Sequence, residues 1–112
     1  MKASELRIGN LVYKDGMVVR IALIKDRPVH ESLNPIPLTG ERLIEFGFEK
    51  DNETRTWSIL TPLQKFEYLF ELEEYYDHFE PTFLCIEIEY VHQLQNLYFA
   101  LTGEELQIKS DE

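Results

Sequence analysis

Of the 112 residues only one is cysteine, Cys85, which excludes an internal disulfide and a zinc site built from thiolates. Glycine and proline number five each, too few for a collagen-like or low-complexity chain. No apolar run approaches the roughly 20 residues of a membrane-crossing helix, and residues 1–6 hold no apolar stretch of signal length. The expectation is a soluble, cytoplasmic single domain over 1–112 that meets no membrane. Positive charge is also scarce: 11 Lys and Arg stand against 21 Asp and Glu, a formal net charge of -10. Phosphate backbones repel such a chain, so direct DNA binding is disfavoured. The sequence has no Gly-rich phosphate loop, no Gly-x-Ser-x-Gly elbow and no histidine pair at zinc-protease spacing. The expectation is a protein that is not an enzyme and that takes no cofactor or metal.

What the chain does have is a core's worth of apolar residues, 44% hydrophobic and 12% aromatic. The class read from the pattern is α+β: a small bent antiparallel sheet, SH3-like in its N-terminal half, a short helix near 39–47 and a C-terminal helix near 91–102. Residues 11–14 and 17–24 flank Asp15-Gly16, a dipeptide that tolerates the positive φ angles of a type I′ turn. The nearly all-apolar second strand reads as covered on both faces. Asn34-Pro35-Ile36-Pro37 cannot extend a ladder, because each proline lacks an N–H. Thr39 is the expected N-cap of the short helix, with Leu38 and Leu43 as its hydrophobic staple, Leu43, Ile44 and Phe46 as its apolar face, and Gly47 beyond its end.

Residues 56–60 read as a strand stopped by Pro62. In 66–73 apolar residues alternate, with Phe66, Tyr68, Phe70 and Leu72 on one face, and 84–90 repeats the pattern. The expectation is that these two strands pair as a hairpin around a polar, aromatic loop at 74–82. Cys85 then reads as a buried structural thiol. Leu94, Leu97, Tyr98 and Leu101 make the apolar stripe of the last helix, Gly103 stops it, and 105–109 offers a final strand before an acidic tail. His30, His78 and His92 read as solvated or capping histidines.

One constellation stands out. Residues 66–90 contain eight acidic side chains, no Lys or Arg, and eight of the fourteen aromatics. Carboxylates two residues apart on a strand lie about 6.8 Å apart on one face. Glu71 and Glu73, set against Glu87 and Glu89 of the expected partner strand, would form an acidic plate. Like charges opposed across a hairpin carry an energetic cost, which suggests a use. Glu71, Glu73, Glu74, Tyr75, Tyr76, Asp77, Phe79 and Glu80 are the candidate partner-binding residues. Their carboxylates would take the place of phosphates and their rings would anchor.

Three phrases, 5–12, 35–39 with Gly47-Phe48, and 91–106, resemble a family of small uncharacterised proteins encoded by phages, prophages and mobile elements of Bacteroidota. The likeness covers about half the chain, and its most specific part is the last phrase, 91–106. The resemblance implies no activity, only a context: small acidic phage proteins without catalytic motifs often act in host takeover or counter-defence, anti-CRISPR proteins among them. The leading expectation is therefore a non-enzymatic accessory protein that inhibits or redirects a host nucleic-acid-handling protein with a basic surface, such as a CRISPR effector nuclease. The alternatives are a structural module acting by self-association or virion packing and, last, a small hydrolase.

Overall fold

The computed structural model describes residues 6–21, 33–63 and 66–108, apart from the side chains of 61–68. The strand residues expected at 22–24, His30, the faces of Phe66 and Tyr68, and the acidic tail lie outside the described residues. The architecture is α+β, with two antiparallel sheets and two helices among the described residues.

Strands β1 (Leu11–Lys14), β2 (Met17–Arg20) and β3 (Leu33–Asn34) form the first sheet in the order β2-β1-β3. Asp15 (φ 51°) and Gly16 (φ 81°) both take positive φ, as a type I′ connection requires. Strand β2 is not covered on both faces. It stands at the end of the strand order, with Met17 70% and Val18 41% exposed. Its apolar run signalled a strand and misreported its burial.

Helix α1 (Gly40–Glu45) begins as expected: the Arg42 amide donates to Thr39 Oγ1 at 3.2 Å, and Leu38 and Leu43 are buried. It ends in a Schellman motif. The Phe48 amide reaches the Leu43 carbonyl at 2.9 Å, the Gly47 amide reaches Ile44 at 2.9 Å, and Gly47 has φ 97°. Leu43 and Phe46 enter the core, while Ile44 points outward at 62% exposed.

The second sheet runs β4-β5-β6-β7, from β4 (Glu49–Asp51), β5 (Thr56–Leu63), β6 (Phe66–Glu74) and β7 (Phe79–Pro81). Here the expected pairing is corrected. Strand β6 pairs with β5 along its length, from Thr56↔Glu73 to Leu63↔Phe66, and with β7 on its other side. Strand β7 takes the other side of β6 at Leu72, Glu73 and Glu74, where the expected hairpin would have closed, and 84–90 forms no ladder with β6. That segment folds back on β7 through one isolated bridge, Phe79↔Ile88, and leaves Leu84, Cys85 and Ile86 exposed. Pro62 does not stop β5 either. Strand β4 covers only residues 56–58, so at Pro62 one side of β5 is an edge, where a missing N–H is tolerated.

Helix α2 (Val91–Thr102) starts with Gln93 Oε1 accepting from the Glu89 and Tyr90 amides at 2.8 and 3.0 Å, and ends at Gly103 in the left-handed conformation. Its buried face is Val91, His92, Leu94, Gln95 and Tyr98, so the expected stripe is rotated: Leu101 is 41% exposed and His92 is buried. Gln95 carries that rotation, because its side chain bonds the Gly9 carbonyl and the Leu11 amide at the start of β1. No strand forms at 105–108, where Leu106 is buried and Glu105 pairs with Arg7. The inner face of the second sheet meets α2 around Phe70, whose ring packs edge-on to Phe48 at 6.1 Å and tilted on Tyr98 at 5.7 Å. No described helix is long and apolar enough to cross a membrane.

Candidate functional site

Register decides which side chains share the outer face of the second sheet, since partners across an antiparallel pair point the same way and neighbours along a strand alternate. One row runs Asp51–Thr56–Glu73–Glu80 and the next runs Glu49–Ser58–Glu71. An acidic plate therefore exists, although Glu87 and Glu89 are not in it. Its carboxylates are Glu49 and Asp51 of β4, Glu71 and Glu73 of β6, and Glu80 of β7. No Lys or Arg stands on these rows. Glu73 and Glu80 are direct cross-strand partners, an arrangement that costs about 0.2–1 kcal/mol.

The plate has two distinct ends. Beyond Glu71 lies the cross-strand pair Leu60↔Leu69, with both side chains about half exposed. Beyond Glu73 lies the connection from β6 to β7, closed by the Tyr75 amide donating to the His78 carbonyl at 2.9 Å. Tyr76 projects fully into solvent at its tip, and Tyr75 stacks on His78 with ring centroids 5.0 Å apart and planes 9° apart.

His78 lies between two carboxylates, Nδ1 at 2.8 Å from Asp77 Oδ1 and Nε2 at 2.9 Å from Glu80 Oε2. These bonds raise the imidazole pKa, and the same contact lowers that of Asp77. His78 reads from the sequence as a solvated or capping histidine, and on a strand its side chain and that of Asp77 would point to opposite faces. In a turn that alternation does not hold, and the two side chains meet. The Glu73 and then the Glu80 carboxylate push the Tyr75 phenol up, so it remains a neutral hydroxyl in ordinary buffers.

Not every expected binding residue faces outward. Phe79 is buried and supports the turn from beneath. Glu74 turns to the opposite side of the sheet from the plate, where Trp57 Nε1 donates to its Oε1 at 2.7 Å and Lys50 and Arg55 lie within 3.5 and 3.8 Å. The indole bond, with the two cations, holds its carboxyl below the ordinary range. A shallow cleft of about 260 Å³ separates this side of the turn from the start of α1, lined by Thr39, Gly40, Glu74, Tyr76 and His78 among others.

Two members of the plate were missed in the sequence. Glu49 and Asp51 lie 22 and 20 residues before Glu71, and the available sign was their i, i+2 spacing on a short strand after Gly47-Phe48. Among the described residues, no group of three or more His, Cys, Asp and Glu is placed to hold a metal ion. The chain matches no protein-family model, no curated protein and no solved structure.

Proposed function

We propose that this chain is a non-enzymatic binding protein whose acidic sheet face and tyrosine turn dock on the basic groove of a nucleic-acid-handling protein and keep nucleic acid out of it. The observation that carries the reading is the register-built set of five carboxylates on two neighbouring rows of one face, with no Lys or Arg on those rows. On β6 they repeat at about 6.8 Å. The neighbouring strand lies about 4.8 Å away, so the face presents a two-dimensional lattice of negative charge.

A basic groove gains from meeting it, since opposite potentials steer encounter. The ends of the plate supply what charge alone lacks, with Leu60 and Leu69 as an apolar anchor and Tyr75 and Tyr76 as amphipathic rings. The candidate contact residues are Glu71, Glu73, Tyr75, Tyr76, Asp77 and Glu80, now joined by Glu49 and Asp51. A phage counter-defence setting of the anti-CRISPR type, with a CRISPR effector nuclease as partner, rests on the resemblance of residues 5–12, 35–39 and 91–106.

The test is capture from nuclease-treated host lysate by the tagged protein and by its E71Q/E73Q/E80Q variant, at two salt concentrations. The captured protein is then challenged with double-stranded DNA. A nucleic-acid enzyme that is lost in the variant, weakened by salt and displaced by DNA supports the reading. Capture that survives neutralisation of the plate overturns it, and recovery of the chain alone transfers the weight to self-association.

A further inference from the structure

The β6–β7 connection contains an arrangement that the docking reading does not use. Both ring nitrogens of His78 face carboxylate oxygens, Asp77 Oδ1 at 2.8 Å and Glu80 Oε2 at 2.9 Å. A carboxylate can only accept, so both contacts are hydrogen bonds only when both nitrogens carry protons. A neutral imidazole has one N–H, and its other nitrogen then turns a lone pair toward an anion.

We propose that His78 is a protonation latch on the tyrosine turn: as imidazolium it ties Asp77 to Glu80 and presents a flat face on which Tyr75 is held, and as neutral imidazole it releases one side of the turn. The latch rests on the docking reading for its purpose, as the regulator of that surface, but its geometry belongs to the free protein.

The charges around the ring all favour the closed state. Asp77 and Glu80 come from the turn and from β7, and Glu87 adds a third carboxylate from the segment that folds back on β7. Leu38, Thr39 and Gly40, across the cleft, bring no charge, and Glu74 is occupied by Trp57, Lys50 and Arg55. The His78 side chain is 14% exposed against 75% for Asp77, so the imidazole is enclosed while its partner remains accessible. Cation and ring are also stacked, and a protonated imidazole is held more firmly than a neutral one over an electron-rich face.

The sign follows from the direction of the shift. Asp77 and then Glu80 raise the folded pKa above the ordinary value of about 6.5. The latch is thus closed below that value and opens as pH rises through the folded pKa. Docking through Tyr75 and Tyr76 would weaken as pH rises through the folded His78 pKa.

The experiment needs no partner. The His78 and Tyr75 ring resonances are followed by NMR from about pH 5.5 to 8.5 in the native protein and in the D77N/E80Q and H78Q variants. The expected result has three parts: a His78 midpoint above 6.5, Tyr75 ring signals moving with the same midpoint, and a lower His78 midpoint in D77N/E80Q. In H78Q the Tyr75 signals should stay flat across the range. A native His78 midpoint at or below 6.5, or Tyr75 signals indifferent to the His78 titration, overturns the latch. Either failure leaves the docking reading to its own capture experiment, repeated with E71Q/E73Q, which leaves both latch carboxylates in place.

Discussion

The indole N–H of Trp57 donates to Glu74 Oε1 at 2.7 Å, which ties β5 to the last residue of β6 on the side of the sheet away from the acidic plate. Glu74 belongs by sequence to the same acidic run as Glu71 and Glu73. By geometry it is a structural residue, because Trp57 is 4% exposed and has a polar atom to satisfy.

E74A is therefore expected to destabilise the fold by about 1–3 kcal/mol, the cost of an indole donor left without its partner. E74Q, which keeps an oxygen acceptor, should lose less. Urea unfolding checks both. Capture of the partner should survive E74Q and fail in E71Q/E73Q/E80Q.

Glu74 also sets a pH dependence. The Trp57 bond, with Lys50 and Arg55, lowers its folded pKa below the unfolded value of about 4.3. The stability it contributes is fully present above that value and is lost as pH falls through the folded pKa. Unfolding free energies measured from about pH 6 down to 3 should fall less steeply in E74Q than in the native protein.

Gly40 opens α1 against the face of Trp57. A Cβ there would lie 2.9 Å from Trp57 Cζ2 and 3.2 Å from Cη2. Alanine at a helix start gains about 1 kcal/mol in propensity. Overpacking against an enclosed indole costs about 1–3 kcal/mol and should prevail. Gly40→Ala is expected to lower the unfolding midpoint, and a raised midpoint would mean that the ring gives way.

Replacing a member of the plate should have the opposite sign. Glu73 stands directly across from Glu80, so E73Q relieves a like-charge pair and should stabilise the protein by a few tenths of a kcal/mol while weakening capture. The same change should bring the Tyr75 phenol down toward its ordinary pKa, which ultraviolet titration can read.

Gln95 joins the helix to the first sheet. Its Oε1 accepts from the Leu11 amide at 2.8 Å and its Nε2 donates to the Gly9 carbonyl at 3.2 Å. Q95L leaves the buried Leu11 N–H without that acceptor and should cost about 1–3 kcal/mol in chemical unfolding.

Local chemistry was readable wherever a structural feature depends on residues close together in the chain. Asp15-Gly16 specified its turn through two positive φ angles, Thr39 capped α1, Gly47 and Gly103 ended the two helices, and the alternation through Phe70 and Leu72 marked the inward face of β6. In each case the deciding contacts span five residues or fewer, or a single period of two. The charge imbalance of 66–90 was likewise visible as composition.

Strand partnership was not readable, because alternation says which face a residue takes and nothing about which strand lies alongside. Strand β6 pairs with β5 along its length and with β7 at Leu72, Glu73 and Glu74. That pairing exposed Cys85, removed Glu87 and Glu89 from the plate, and recruited Glu49 and Asp51 from 22 and 20 residues before Glu71. The turn at 75–78, expected as part of a loop, brings Asp77 and Glu80 to the two ring nitrogens of His78, a contact that composition and alternation do not specify. The sequence supplied the negative charge, and the register of the second sheet decided which carboxylates share a face, because residues distant in the chain meet only where backbone hydrogen bonds align them.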